Sequence, residues 1–354
     1  GEAFNLKSPK QLGILLFEKL GLPIIKKTKT GYSTDVSVLE ELLGKHPIIE
    51  TILEHRKLSK LLSTYLLGLK PLINKKTGHI HTHFQQMVTV TGRLSSTEPN
   101  LQNIPTRTEV GKRMREMFVP SSGYDWLLSC DYSQVELRVM ASIAQDHLLI
   151  DSFNKGQDVH ARTASEVFGV PLEDVTPTMR SRAKTVNFGI VYGISDYGLA
   201  QQLGVSRAEA GKYIADYFAR YTGVKEYMNN EIAKAKKMGY VATLFGRRRY
   251  LPDINHSNYN LRSFAERTAI NTPIQGTAAD IIKIAMLKVN TALRTAKVKS
   301  RVLLQVHDEL VLEVTDEEKE QVAALVKQAM ESAVELKVPL VAETALGKTW
   351  AQAK

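Results

Sequence analysis

The chain has 354 residues, 43% hydrophobic and 24% charged, and no apolar stretch nears the roughly 20 residues that a membrane-spanning helix needs. Its one cysteine, Cys130, excludes an internal disulfide and any cysteine-rich zinc site, which suits a reducing cytoplasm. Lys and Arg outnumber Asp and Glu by 47 to 37, partly in clusters (Lys26, Lys27 and Lys29; Lys75 and Lys76; Arg247, Arg248 and Arg249); such an excess suits a polyanion, although a solvated basic surface is the simpler reading. The opening GEAFNLKSPK lacks the layout of a secretory signal. The length implies two or three lobes rather than one small core.

Leucine-rich stretches at 11–20, 37–46 and 51–69, punctuated by Gly and Pro, predict a small helical lobe over the first 70 residues. Residues 78–90 (GHIHTHFQQMVTV) alternate with a period near two and predict a half-buried strand; DWLLSCD (125–131) predicts a short apolar strand ending in an acid. Between them TGRLSSTEPNLQNIP (91–105) is too rich in turn formers for a regular element and reads as a loop carrying Arg93, Asn100, Gln102 and Asn103. Nearly all of 133–240 reads as helix, and 240–254 as a hairpin with a basic tip. Helix returns at 258–272 and, beyond Pro273, at 276–297, followed by a strand, a three-residue turn, a strand, a helix and a last strand. This order predicts a helical insertion interrupting one sheet domain.

The segment LLQVHDELVL (303–312) sets His307, Asp308 and Glu309 inside an apolar run. The flanking runs match as strands, so the trio falls at a hairpin tip, where charges need not be buried; alone, a plain polar turn is the simpler reading. A second acid, Asp131, leaves an apolar strand just before a helix. Ser133 and Glu136 there fit the S-x-x-E capping box, and on spacing alone capping is their reading. Two strands of one sheet could bring Asp131 and Asp308 together, and adjacent carboxylates repel unless cations lie between them. Hard, oxygen-ligated Mg²⁺ is the candidate, as a pair of ions of the kind that clamps in-line phosphoryl transfer.

MRSRAKTVNFGIVYG (179–193) is the most informative stretch. At about 100° per residue, Met179, Ala183, Val186 and Ile190 form an apolar stripe. Arg180, Lys184, Phe188 and Tyr192 follow every fourth residue on another face. Two cations followed by two rings, over about 18 Å of axis, match a nucleoside triphosphate with its phosphates at one end and its base and sugar at the other. A solvent-facing amphipathic helix with incidental aromatics fits the pattern equally. His160 could donate to a phosphate, though a lone histidine is more often structural, and Asn271 and Gln275 are amides of the kind that read minor-groove acceptors.

Taken together, TGRLSSTEPNLQNIP, DYSQVELR (131–138), RSRAKTVNFGIVYG (180–193), RTAINTPIQGTAADIIK (267–283) and QVHDEL (305–310) resemble, in order and spacing, the polymerase portion of family A DNA polymerases of the bacterial polymerase I type. The resemblance runs over essentially the whole chain. It implies an α+β, right-hand polymerase fold with an antiparallel palm sheet, helical fingers inserted in the palm and a partial helical thumb: thumb 1–72, palm 73–144, fingers 145–256 and palm again 257–354. It implies Asp131 and Asp308 as metal-binding carboxylates, the Tyr132 carbonyl completing the metal site, and Glu309 as a lesser contributor. Arg180, Lys184, Phe188 and Tyr192, with His160 and Gln134, would meet the incoming nucleotide, Lys184 giving a proton to pyrophosphate. Glu136 would crowd the 2′ position of the sugar, its capping role becoming secondary. Arg93, Arg267, Asn271, Gln275 and His307 would touch primer terminus and template.

The implied reaction is attack of a primer 3′-hydroxyl on the α-phosphate of a deoxynucleoside triphosphate, with primer–template DNA as partner and two Mg²⁺ ions, replaceable by Mn²⁺. The chain is expected to act as a monomer, without a membrane, in the bacterial cytoplasm at the nucleoid. Against the family pattern it starts within the thumb, which leaves room for a separate N-terminal fragment, and proofreading and 5′-nuclease domains are expected to be absent. Two rivals remain: an inactive DNA-binding polymerase remnant, which would have no use for clustered acids beside a polyanion, and a single-subunit RNA polymerase, against which Glu136 and Phe188 speak.

Overall fold

The computed structural model describes residues 4–29, 31–105 and 109–353, and the chain divides into two compact units at 81/82. In the first unit α1 (Pro9–Gly13) starts from Ser8, whose Oγ accepts the Gln11 N–H, with Pro9 at the first helical position. It continues as a π-helical turn, Ile14–Lys19. A short hairpin, β1 (Lys27–Thr28) and β2 (Gly31–Tyr32), follows. The expectation of a purely helical lobe missed it, since strands of two residues carry no readable period. Helices α2 (Val36–Glu41), α3 (Ile48–Lys60) and α4 (Leu67–Leu69) complete the unit. Leu12, Leu16, Leu39, Leu42, Ile49 and Ile52 form its core.

The second unit opens with β3 (His83–Gln85) paired to β4 (Ser95–Thr97). The strand expected over 78–90 is therefore only three residues long, and Met87, 95% exposed, buries nothing. β4 in turn lies inside the stretch read as a loop. After α5 (Glu109–Glu116) and β5 (Trp126–Tyr132) come seven helices: α6 (Val135–Ala144), α7 (His147–Asn154), α8 (Val159–Phe168), α9 (Pro177–Val191), α10 (Asp196–Leu203), α11 (Arg207–Arg220) and α12 (Thr222–Met238). The hairpin β6 (Tyr240–Ala242) and β7 (Arg248–Tyr250), then α13 (Tyr259–Ala296), β8 (Arg301–Val306), β9 (Glu309–Val314), α14 (Lys319–Glu331) and β10 (Ala342–Gly347) finish the chain.

The helix starts are legible in side-chain chemistry. Asp146, Asp158, Thr176, Ser195 and Ser206 accept backbone N–H groups at the first turns of α7 to α11, each stabilising its helix by about 1 kcal/mol. Asp146 also accepts from Gly223 and Val224 at the start of α12, so one carboxylate fastens two helix ends.

Two helices expected on either side of Pro273 form one. α13 runs through Pro273 without interruption, although an interior proline costs about 3 kcal/mol. Ile270, Ile274, Ile281 and Ile282 are buried on both sides of it, and this apolar packing outweighs the lost hydrogen bond.

β10, β5, β9 and β8 make a four-stranded sheet, antiparallel throughout, and everything from α6 to α13 is inserted between β5 and β8. Leu128, Cys130, Tyr132, Leu310, Leu312 and Val314 join the large core shared with α6, α13 and α14. The alternate residues, among them Ser129, Asp131 and Glu309, point to the opposite face. That alternation leaves the acids outside the apolar core.

Candidate active site

Asp131 and Asp308 arrive at the same end of the two central strands. Asp131 pairs with Glu309 across β5 and β9, and the next residue, Tyr132, donates its N–H to the Asp308 carbonyl at 3.2 Å. Both aspartates are half-buried. The Tyr132 side chain points into the core, its hydroxyl donating to the Met330 carbonyl at 2.6 Å, so only its backbone serves the strand end.

Glu309 departs from expectation. The turn has two residues, His307 and Asp308, and Glu309 opens β9 and is 2% exposed. Its Oε1 accepts from Ser129 Oγ at 2.8 Å and Trp350 Nε1 at 3.1 Å, which is how a buried carboxylate is tolerated. Arg115, also buried, lies 4.1 Å over the Trp350 ring. Burial lowers its pKa, while the charges of Glu309 and Asp131 raise it. Ser129, Arg115 and Trp350 carry no signal in the sequence, where nothing links positions so far apart.

Glu136 is not a capping residue. Gln134, in left-handed conformation at φ 55°, precedes α6 without a side-chain cap, and Glu136 instead receives Arg93 Nη2 at 2.5 Å on Oε1 and the Tyr192 hydroxyl at 3.0 Å on Oε2. Burial pushes its carboxyl pKa up; Arg93 and the Tyr192 hydrogen bond oppose this, and Asp308 adds to it. The Tyr192 hydroxyl is pushed up to about 12 by burial and by Glu136, with Arg93 and Gln275 opposing. Residues from the loop after β3, from the end of α9 and from the β8–β9 turn thus converge on one carboxylate of α6.

Along α9, Ala183, Val186 and Ile190 are buried while Arg180, Lys184 and Tyr192 are exposed. Arg180 Nε is held by Asp158 Oδ2 at 2.6 Å. Phe188 packs against His160, ring centroids 5.8 Å apart. On α13, Arg267, Asn271 and Gln275 recur every fourth residue against the end of α9. A Cβ on Gly193 would sit 3.2 Å from Arg267 Cγ, and Asn271 Nδ2 donates to the Val191 carbonyl at 3.3 Å. His307 is exposed at the turn with φ 57°, its carbonyl accepting from Gln305 Nε2. Gln102 Nε2 donates in turn to the Gln305 carbonyl at 3.1 Å. Gln134 Oε1 is buried without a hydrogen-bond partner among the described residues.

The loop that delivers Arg93 is itself clamped. Gly92 has φ 82°, and a Cβ there would lie 2.6 Å from Arg247 Nε, which cannot give way because Asp280 Oδ1 holds the guanidinium at 2.9 and 2.7 Å. Gly92→Ala should lower stability by about 1–3 kcal/mol, seen as a lower urea midpoint with an unchanged slope. An unchanged midpoint would show that the loop is free to shift.

The sequence model of DNA polymerase family A matches residues 1–352. DNA polymerase I of Geobacillus stearothermophilus is 58% identical over 355 residues, covering all of this chain and 40% of the relative. The corresponding enzymes of Caldicellulosiruptor bescii and Bacillus subtilis are 55% and 54% identical, again over all of this chain and over 42% and 40% of their own lengths. The chain therefore spans about two fifths of the length of the curated relatives it matches. A solved structure of the POL domain of Pol1 from M. smegmatis, in complex with DNA primer-template and dNTP, matches with a TM-score of 0.94 and 48% identity, covering all of this chain and 62% of that one. With its sequence matched nearly end to end and its fold shared with that domain, this chain belongs to DNA polymerase family A.

Proposed function

We propose that the chain carries out template-directed DNA synthesis, adding deoxynucleotides from their triphosphates to a primer 3′-hydroxyl and releasing pyrophosphate. The observation that carries this reading is the convergence on Glu136: Arg93, Tyr192 from the end of α9, and the Asp308 turn beside Asp131. On the same reading residues 1–72 are thumb, 73–144 and 257–354 palm, and 145–256 fingers. One chain with primer–template and nucleotide supplies the whole site.

Family A DNA polymerases generally use divalent ions. Among the described residues no cluster of three or more His, Cys, Asp or Glu side chains forms a cage for one. Two carboxylates, Asp131 and Asp308, with the Tyr132 carbonyl are an all-oxygen set, and Mg²⁺ commonly takes one or two carboxylates and completes its shell with substrate phosphates and water. The donor set fits two Mg²⁺ ions, with Mn²⁺ as a substitute. When bound, such ions would lower the hydroxyl pKa and neutralise charge on the phosphates.

The chain's own groups do the rest. Arg180 and Lys184 bind the triphosphate, and Phe188 with Tyr192 flanks the base and sugar. His160 and Gln134 assist at the nucleotide, and Arg93, Arg267, Asn271, Gln275 and His307 hold the primer end and template. The primer 3′-hydroxyl gives its proton to solvent and its oxygen bonds to the α-phosphorus as the bond to pyrophosphate breaks, with Lys184 supplying the leaving group's proton. Glu136, gripped on both oxygens, cannot swing away from a 2′-hydroxyl. Primer extension with Mg²⁺ and four deoxynucleotides should proceed, stop on chelation, and fall by about 10²-fold or more with ribonucleotides. Duplex binding without extension would identify an inactive remnant; equal use of both sugars would remove Glu136 from selection.

A further inference from the structure

Asn187 lies on the buried side of α9 and is 0% exposed. A carboxamide in that position is costly unless hydrogen-bonded. Its Nδ2 is 3.1 Å from His160 Nδ1 and 3.0 Å from Thr163 Oγ1. Thr163 Oγ1 is 3.2 Å from Asn187 Oδ1 and 3.0 Å from the Tyr221 hydroxyl. Tyr221 is fully buried and packs on Tyr217, ring centroids 4.5 Å apart. A chain of polar groups thus runs from the junction of α11 and α12, through α8, to the histidine beside Phe188.

Hydrogen positions follow from which donors can be satisfied. If His160 gave its Nδ1 proton to a flipped Asn187 amide, the amide oxygen would accept from His160 and Thr163, and the nitrogen would stand at the other position, where Thr163 Oγ1 at 3.2 Å is its one acceptor among the described hydrogen bonds. One of the two buried amide protons would then go unused. In the opposite sense every group is satisfied: Tyr221 donates to Thr163, Thr163 to Asn187 Oδ1, and Asn187 Nδ2 to both His160 Nδ1 and Thr163 Oγ1. Only the second arrangement leaves no buried donor unused.

We propose that Asn187, backed by Thr163 and Tyr221, is a positioning residue that holds His160 as the neutral tautomer with its single proton on Nε2. That proton is then the donor offered to a triphosphate lying along α9. The inference rests on the reading of α9 as the nucleotide-binding helix. Because Asn187 sits on α9 and His160 on α8, the hydrogen bond also fixes the donor relative to the helix that binds the phosphates.

The ring's neutrality has a separate cause. Burial lowers the His160 pKa to about 4; Asp158 opposes this, and the charges of Lys184 and Arg180 add to it. The tautomer, not the charge, is therefore what the hydrogen-bonded chain decides.

The test is imidazole ¹⁵N NMR on the full chain without DNA or nucleotide, with His160→Gln to assign the signal. His160 should show an unprotonated Nδ1 and a protonated Nε2. Asn187→Asp, whose carboxylate only accepts, should reverse the tautomer and raise KM for the nucleotide about tenfold or more while changing kcat by less than about threefold. Should that variant fail to fold, Thr163→Val should give a mixture of tautomers in its place. A wild-type ring protonated on Nδ1, a folded Asn187→Asp chain with unchanged tautomer or KM, or an unmixed tautomer in Thr163→Val would overturn the proposal. Since the NMR signature needs no catalysis, failure of wild-type primer extension would count against DNA synthesis and leave the tautomer assignment to be judged on its own.

Discussion

Replacing Asp308 by asparagine should lower kcat for primer extension by about 10³-fold or more, while duplex affinity falls by no more than about twofold. The substitution keeps shape and removes one negative charge from the end of β9. In the proposed mechanism that charge has no replacement: Asp131 is the other carboxylate at this strand end, and the buried Glu309 beside it already accepts from Ser129 and Trp350. DNA affinity should be nearly untouched because the phosphate backbone is attracted by cations, and losing an anion leaves that attraction intact. Single-turnover extension measures the first quantity and fluorescence anisotropy with labelled duplex the second. The Tyr132 N–H to Asp308 carbonyl bond uses the backbone alone, so the turn should survive and the urea midpoint should stay put. A near-normal rate in the variant would remove Asp308 from the metal role, and with it the reading of the strand ends as a site of phosphoryl transfer.

The strand ends are legible in the sequence, because apolar runs of strand length each end in an acid and the helical stretch between them has to be an insertion. The face of α9 is equally legible, since a helix fixes which residues align every fourth position. Glu309 is not. Whether a hairpin tip has two residues or three shifts register by one, and one residue of slip exchanges the two faces of a strand. Local spacing also misassigns Glu136, because a capping box is a pattern over four residues, whereas Arg93 and Tyr192 reach it from 43 and 56 positions away. The alternation over 78–90 carries a strand's period without a surface to bury against. Asn187 carries no signal of its own in the sequence, and only its neighbours on α8 show where its carboxamide is held.

Lys184→Ala should raise KM for the nucleotide and also slow the chemical step by about 10²- to 10⁴-fold, a double effect that separates it from the KM change expected at Asn187. Lys184 is exposed on α9, one turn beyond Arg180 and one before Phe188. Its charge helps to depress the His160 pKa, so it stands near the ring that would offer a proton to the same phosphates. Arg180 is tied to Asp158, which fits a fixed anchor. A lysine on a flexible stem suits a group that must follow the pyrophosphate as it leaves. Lys184→Arg tells the two roles apart. Arginine keeps the positive charge but does not release a proton in this pH range, so KM should recover most of the way toward wild type while kcat stays low. Recovery of both would make Lys184 a charge only, with the leaving group protonated by water.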